Sequence, residues 1–287
     1  METLKYKFIE NSRKGLNKWY SSILLLTLCI AFFGMLNFPL NVYILPFFEK
    51  IFGTELFPKE YLYSFITGVY FWVFIAFLFL IYPVIFKISF FSLINSEHSK
   101  FRWLPFFQGF IIWGIITFLV NSQTNKVDLN TSLSKFEANT FFSILSVNII
   151  FCSSQTFLEE LFFRGYLIQV LGRNIKRYTI VNLAASLLFA LIHIPYGLEA
   201  FILSFVFSFV MNKLVLKEEG IERAYGIHMA NNLVFASFFG TFEKHLSQDF
   251  TIHIDWKNIA LEIVTLISLF IISNFIIKRK VYKNVRK

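Results

Sequence analysis

The chain has 287 residues, of which 56% are hydrophobic and 40 are phenylalanine, and its formal net charge is +9. Because a soluble domain is only about 45–50% apolar, this composition excludes an ordinary soluble domain and indicates an integral membrane protein. The positive charge by itself would suit a nucleic-acid partner, but its placement along the chain fits membrane topology.

Eight apolar runs follow one another, each close to the length of about 20 residues that a helix needs to cross a bilayer. They cover roughly 20–48, 61–86, 104–121, 139–172, 178–194, 199–216, 224–241 and 257–277. The fourth is longer than a bilayer requires, so we expect it to tilt or to project into water. The seventh is the weakest, because it carries His228, Asn231 and Asn232. The sequence predicts an all-α, polytopic membrane protein with about eight transmembrane helices.

Lys and Arg residues give this segmentation an orientation. If both termini are cytoplasmic, the inside segments hold 20 Lys and Arg residues and the outside loops hold 6. Such a bias is what the positive-inside rule requires. We therefore expect both termini to be cytoplasmic and expect no nucleic-acid partner. Three acidic residues in one of these inner loops, Glu218, Glu219 and Glu222, are expected to form a solvated charge cluster.

Two carboxylates and a guanidinium interrupt the fourth run, in the sequence FLEELFFRG that begins at Phe157. Ionisable residues are expensive at membrane depth, so a functional site is the default interpretation. On an α-helix, Glu160 and Arg164 share a face, which predicts an ion pair. Glu159 points about 140° away from Arg164 and stays free to accept a proton or to bind a metal ion or water. Alternatively, both glutamates are tolerated charges in a water-filled groove.

Polar residues also enter two later runs. His193 lies at the end of the fifth, and His228 and Asn232 share one helix face in the seventh. Imidazole and carboxylate groups are the ligands of catalytic zinc sites, which leave one position for water. The same groups can instead position and deprotonate a water directly, with Asn and His holding the oxyanion. Composition and spacing leave both chemistries open.

Together these residues resemble the three motifs of the CAAX protease and bacteriocin-processing (CPBP) family of intramembrane proteases, also called the CAAX amino-terminal protease or Abi family. The similarity lies in Glu159-Glu160-x-x-x-Arg164, Phe189-x-x-x-His193 and His228-x-x-x-Asn232, with the flanking residues 163–165 and 186–193. It covers about residues 139–240. Three motifs in order within predicted spans make the resemblance specific.

The resemblance implies an all-helical membrane fold and peptide hydrolysis in a cavity reached from the cytoplasm or the bilayer. It implies that Glu159 activates the water, and that Glu160 and Arg164 are mainly structural. It further implies that the two histidines and the asparagine bind metal or water and stabilise the oxyanion. The implied ligands for zinc or another divalent metal are Glu159, His193, His228 and Asn232.

We therefore expect a CAAX-type intramembrane metallo-endopeptidase whose partners are the lipid bilayer and a peptide or membrane-anchored protein substrate, prenylated or not. Within one membrane domain, we expect 1–138 to hold the first three spans, 139–240 the catalytic core, and 241–287 the last span and a basic tail. The expected location is multi-pass in a membrane, the plasma membrane if the protein is bacterial. Two alternatives stay open, a non-catalytic immunity or scaffold protein of the same fold and a transporter with an intramembrane proton relay.

A shared site also sets a geometric condition. Glu159 must lie close to at least one of the two histidines, although it is farther from its inner span end than His228 is. The excess length of the fourth run permits this. We expect the inner end of its membrane-embedded part to lie before Gly172.

Overall fold

The computed structural model describes residues 6–11, 14–15, 18–56, 59–97, 100–124, 138–239 and 254–285, and within these ranges it contains helices and no β-strand. The α-helices are α1 (Lys7–Glu10), α2 (Trp19–Pro39), α3 (Leu45–Leu56), α4 (Lys59–Phe86), α5 (Trp103–Thr124), α6 (Ala138–Glu159), α7 (Ile168–Asn174), α8 (Tyr178–Leu191), α9 (Leu198–Glu218), α10 (Glu222–Val234) and α11 (Trp256–Val285). Wider π-helical turns occupy Leu40–Ile44, Glu160–Leu167 and Phe235–Phe239, and 3-10 turns occupy Phe90–Leu93 and Ile194–Tyr196. The predicted all-α class is confirmed.

Helices overlap all eight predicted spans, although the first span, 20–48, contains α2, a π-helical turn and the start of α3, and residues 240–241 of the seventh lie outside the described residues. In the described ranges, five helical segments are long and apolar enough to cross a membrane: Tyr61–Phe86, Trp103–Gln123, Phe141–Asn174, Leu198–Glu218 and Trp256–Ile277. Shorter apolar segments are Tyr20–Met35 and Tyr178–Leu191. The protein is thus a multi-pass membrane protein, as predicted. The count of eight spans, the inner end of the fourth, the cytoplasmic termini and the three-part division of the domain stay predictions.

The weak seventh run forms the centre of the bundle. Its helix α10 packs against α5, α6 and α9, and nearly all of its side chains are buried. Gly226 allows the closest approach, because a Cβ at this position would clash with the carbonyl oxygen of Phe106 on α5. A helix surrounded by protein does not need an apolar surface toward lipid. This position explains why the most polar run of the chain still folds as a helix.

Two of the three carboxylates near the junction of α9 and α10, Glu218 and Glu222, are buried, so the predicted solvated cluster is wrong for them. Arg102 donates to both oxygens of Glu222, from Nε at 2.8 Å and from Nη2 at 2.6 Å. Arg223 binds both oxygens of Glu218 in the same manner, at 2.8 and 2.9 Å. Two-point pairing of this kind holds carboxylates that have left water. The local sequence could not show the pairing of Glu222, because Arg102 is 120 residues away, whereas Arg223 lies only five residues from Glu218.

The third carboxylate, Glu219, holds the amino-terminal segment against the bundle. It accepts hydrogen bonds from the backbone N–H groups of Lys7 and Phe8, and the side chain of Phe8 is buried. Burial raises the pKa of Glu219 above its ordinary value, although these two hydrogen bonds act in the opposite direction. The segment therefore depends on a partly desolvated carboxylate.

Candidate active site

The motif with two glutamates lies where the helix changes from α to π geometry. Helix α6 ends at Glu159, and the π-helical turn Glu160–Leu167 leads into α7. The α-helical geometry used above to place these charges therefore does not continue past Glu159, and the spacing of charges in the sequence does not report such a change in backbone hydrogen bonding. Gly165 fits this turn closely, because a Cβ there would lie 2.5 Å from the carbonyl oxygen of Leu93. π-Helical segments inserted into α-helices are frequent at functional sites.

Glu160 and Arg164 form the predicted ion pair. Arg164 Nη1 lies 3.2 Å from Glu160 Oε1, and both side chains are 0% exposed. The guanidinium carbon of Arg164 is 4.2 Å from the centre of the Phe189 ring, a cation–π contact. The same Glu160 oxygen pairs with His228 Nδ1 at 2.8 Å. Because an ionised carboxylate only accepts, Nδ1 carries a proton, and in the neutral form of the ring Nε2 is then the acceptor.

Glu159 faces the other nitrogen of the same histidine. Its Oε2 is 3.8 Å from His228 Nε2, and its side chain is 18% exposed. Among the described residues, Oε2 has no hydrogen-bond partner. The condition for a shared site is met, and the two glutamates differ as expected: Glu160 is held in a buried ion pair, whereas Glu159 keeps one carboxylate oxygen, itself buried, without a hydrogen-bond partner among the described residues.

Gln155 joins the site, and the sequence interpretation missed it. Its Nε2 donates to Glu159 Oε1 at 2.8 Å, and its Oε1 accepts from Asn232 Nδ2 at 3.2 Å. The predicted residues Glu159 and Asn232 are thus connected through an amide that none of the three motifs contains. Its position four residues before Glu159 on the same helix was the available signal.

His193 reaches the site from the end of α8. Its Nδ1 lies 2.8 Å from the carbonyl oxygen of Phe189, so Nδ1 is the donor and Nε2 is again the acceptor of the neutral ring. The buried Phe189 ring lies against both imidazoles: its centre is 4.6 Å from the His193 ring and 6.0 Å from the His228 ring. His193 is also close enough to Glu159 to interact with its charge.

A metal ion requires a more specific arrangement of ligands than a bound water molecule does. Catalytic zinc sites use three protein ligands and a water. Within the described part of the chain, no three or more His, Cys, Asp or Glu side chains are grouped to hold a metal ion. The predicted ligands, as arranged, do not fit such a centre, so the chemistry below uses the chain's own groups. Zinc or another divalent metal stays a prediction, which elemental analysis of the purified protein tests.

Comparison with known proteins agrees with the motifs. Residues 140–234 match the family model described as "Type II CAAX prenyl endopeptidase Rce1-like". A protein of Bacillus subtilis (strain 168), named "Uncharacterized protein YyaK", is 30% identical over 155 residues, which are 52% of this chain and 52% of that protein. The chain spans about half the length of this curated relative. No solved structure matches the chain.

Proposed function

We propose that the protein is an intramembrane endopeptidase. The premise is that residues 140–234 carry an Rce1-like domain of the CPBP protease family. Its substrate would be a membrane-associated or prenylated, CAAX-type polypeptide, since the matching family is described as a CAAX prenyl endopeptidase. The observation that carries the catalytic part is the facing pair of Glu159 Oε2 and His228 Nε2, 3.8 Å apart.

Two facing acceptors suit a water molecule that donates one hydrogen to each. Glu159 Oε2 and neutral His228 Nε2 both accept. A water held in this way directs its lone pairs away from both groups and toward a substrate carbonyl. A general base must lie within hydrogen-bond reach of the proton it takes, and Glu159 meets this requirement for such a water.

Hydrolysis then needs one proton to move twice. Glu159 takes a proton from the water as the water oxygen forms its bond to the scissile carbonyl carbon. The carbonyl oxygen becomes an oxyanion, which an N–H of Asn232 can stabilise by a hydrogen bond. Glu159 returns the proton to the amide nitrogen as the carbon–nitrogen bond breaks. The products are a carboxylic acid and an amine, and Glu159 ends as it began.

Glu160 and Arg164 act through His228 in this scheme. Glu160 is fully buried, and both Arg164 and His228 contact the same oxygen of its carboxylate. Leaving these partners would strand an unpaired charge in the bundle, so Glu160 is not available to a substrate. Its role is to fix the tautomer and the ring orientation of His228.

Peptide cleavage in liposomes tests the proposal. The purified chain is given two fluorogenic peptides, one with a farnesylated cysteine followed by three residues and one unprenylated transmembrane peptide. We expect Glu159→Ala to lower kcat by about 10²- to 10⁴-fold, the usual contribution of a general base. Glu97→Gln, at an exposed loop position, is the matched control and should cleave like the wild type.

The outcomes separate the proposal from its alternatives. Faster cleavage of the farnesylated peptide supports a CAAX-type substrate, and equal or slower cleavage contradicts that part. Cleavage that does not depend on Glu159 contradicts the proposed mechanism. If the wild type cleaves neither peptide, the non-catalytic immunity or scaffold role becomes the better explanation, and proton flux across the same liposomes tests the transporter.

A further inference from the structure

Four hydrogen bonds connect helix α5, which carries no predicted motif, to the candidate base. Trp113 Nε1 donates to Asn231 Oδ1 at 3.2 Å, and Asn231 Nδ2 donates to Asn232 Oδ1 at 3.4 Å. Asn232 Nδ2 then donates to Gln155 Oε1 at 3.2 Å, and Gln155 Nε2 donates to Glu159 Oε1 at 2.8 Å. We call this series of side chains the amide relay.

The ends of the amide relay determine its direction. An indole can only donate a hydrogen bond, and an ionised carboxylate can only accept one. Each of the three amides between them could be turned over in isolation, because its oxygen and nitrogen have nearly the same shape. Only one arrangement satisfies all four contacts, with each amide oxygen toward Trp113 and each amide nitrogen toward Glu159.

Asn232 is the member for which this direction matters chemically. Its Oδ1 is turned toward Asn231, and one of its two N–H groups is used on Gln155. The second N–H is the group that Asn232 can offer to a substrate. A donor stabilises an oxyanion, whereas metal binding would require the oxygen.

We propose that Trp113, Asn231 and Gln155 are positioning residues that hold Asn232 as a hydrogen-bond donor and fix Glu159 by its Oε1. The proposal rests on the proposed peptidase function and deepens it. It brings α5 into the catalytic assembly, so the functional unit extends beyond the residues that match the family.

The first arm of the test is kinetic and uses the two fluorogenic peptides in liposomes. Trp113→Phe removes the donor at one end of the amide relay, and Gln155→Met removes the link to Glu159 with little change in volume. Loss of alignment should lower kcat by about 10- to 100-fold. KM should change little, because the oxyanion contact exists only in the transition state. The double variant should be no slower than the worse single variant, since the members act as one unit.

Gln169→Met is the matched control for this arm. Gln169 is also buried and donates one hydrogen bond, at 2.7 Å to the carbonyl oxygen of Ser92, but it lies outside the site. This variant should lose stability without a selective loss of kcat. If the wild type cleaves with dependence on Glu159 while Trp113→Phe and Gln155→Met behave like Gln169→Met, the amide relay is overturned and the peptidase function stands.

The second arm does not depend on activity. Ultraviolet resonance Raman spectroscopy reports whether an indole N–H is hydrogen-bonded, and the difference between wild type and Asn231→Leu isolates the signal of Trp113. We expect the band of a bonded N–H in the wild type to shift to that of a free N–H in the variant. An unchanged spectrum would mean that Trp113 does not donate a hydrogen bond to Asn231, which would contradict the amide relay. This result does not depend on whether the chain cleaves either peptide.

Discussion

Replacing Arg164 by methionine should destabilise the protein strongly, because it removes the cation from a fully buried pair. The guanidinium is 3.2 Å from Glu160 Oε1, and both side chains are inaccessible to solvent. Methionine fills a similar volume beside Phe189 but leaves that oxygen of Glu160 with a hydrogen bond from His228 and no cation. The carboxylate would then stay charged in the bundle without a counter-ion, or take up a proton.

The expected size follows from measurements on buried pairs. Removing one partner of such a pair costs about 3–5 kcal/mol. In domains of about 150–250 residues, each kcal/mol shifts Tm by about 2–4 °C. We therefore expect Arg164→Met to lower Tm by about 6–20 °C. The double variant Glu160→Gln with Arg164→Met should have a smaller decrease in Tm than Arg164→Met alone, because it leaves neither charge unpaired.

Thermal unfolding in detergent, followed by intrinsic fluorescence, measures these changes. Arg173→Met is the control, since Arg173 lies on the adjoining helix α7 and is partly exposed. Its Tm should stay near that of the wild type, as for most surface substitutions. A Tm for Arg164→Met equal to that of Arg173→Met would refute the reasoning, and so would a double variant whose loss equals the sum of the two single losses.

Two further predictions concern packing and pH. Gly226→Ala would press a methyl group on the carbonyl oxygen of Phe106 and should lower the free energy of unfolding by about 1–3 kcal/mol. Gly34→Ala is the control, because an added Cβ there has no neighbouring atom within 4 Å, and its Tm should be unchanged or slightly raised. Equal Tm values for the two variants would contradict this prediction. Burial holds the pKa of Glu219 above its ordinary value of 4.5, so the stability it contributes is present below pH 4.5 and is lost as pH rises through the raised pKa. Glu219→Gln should flatten this part of the Tm–pH curve, and an unchanged slope would contradict it.

Contacts that are local in the chain were predictable from the sequence. The ion pair of Glu160 with Arg164 follows from four-residue spacing on a helix, and the structure contains it. The apolar runs likewise predicted the helices, because a membrane span must be long, apolar and internally hydrogen-bonded. The π-helical turn was not predictable, since it depends on backbone bonding that the charges do not encode.

Contacts between distant segments were only partly predictable. The motifs predicted that His228 lies near Glu159. The hydrogen bond from His228 Nδ1 to Glu160 joins residues 68 positions apart and had no local signal in the sequence. Gln155 had a signal, its four-residue spacing from Glu159, but an amide in a run rich in serine and asparagine does not stand out. Trp113 had none, because its partner Asn231 lies on a helix far along the chain.

A comparison of Glu159→Gln with Glu160→Gln, with Tm and peptide cleavage recorded for both, distinguishes a catalytic base from a structural carboxylate. We expect Glu159→Gln to keep a Tm near that of the wild type and to lower kcat by about 10²- to 10⁴-fold. We expect Glu160→Gln to lower Tm, because Arg164 is then buried without a counter-ion. Cleavage at the wild-type rate by Glu159→Gln, with its fold intact, would contradict the assignment of Glu159 as the catalytic base.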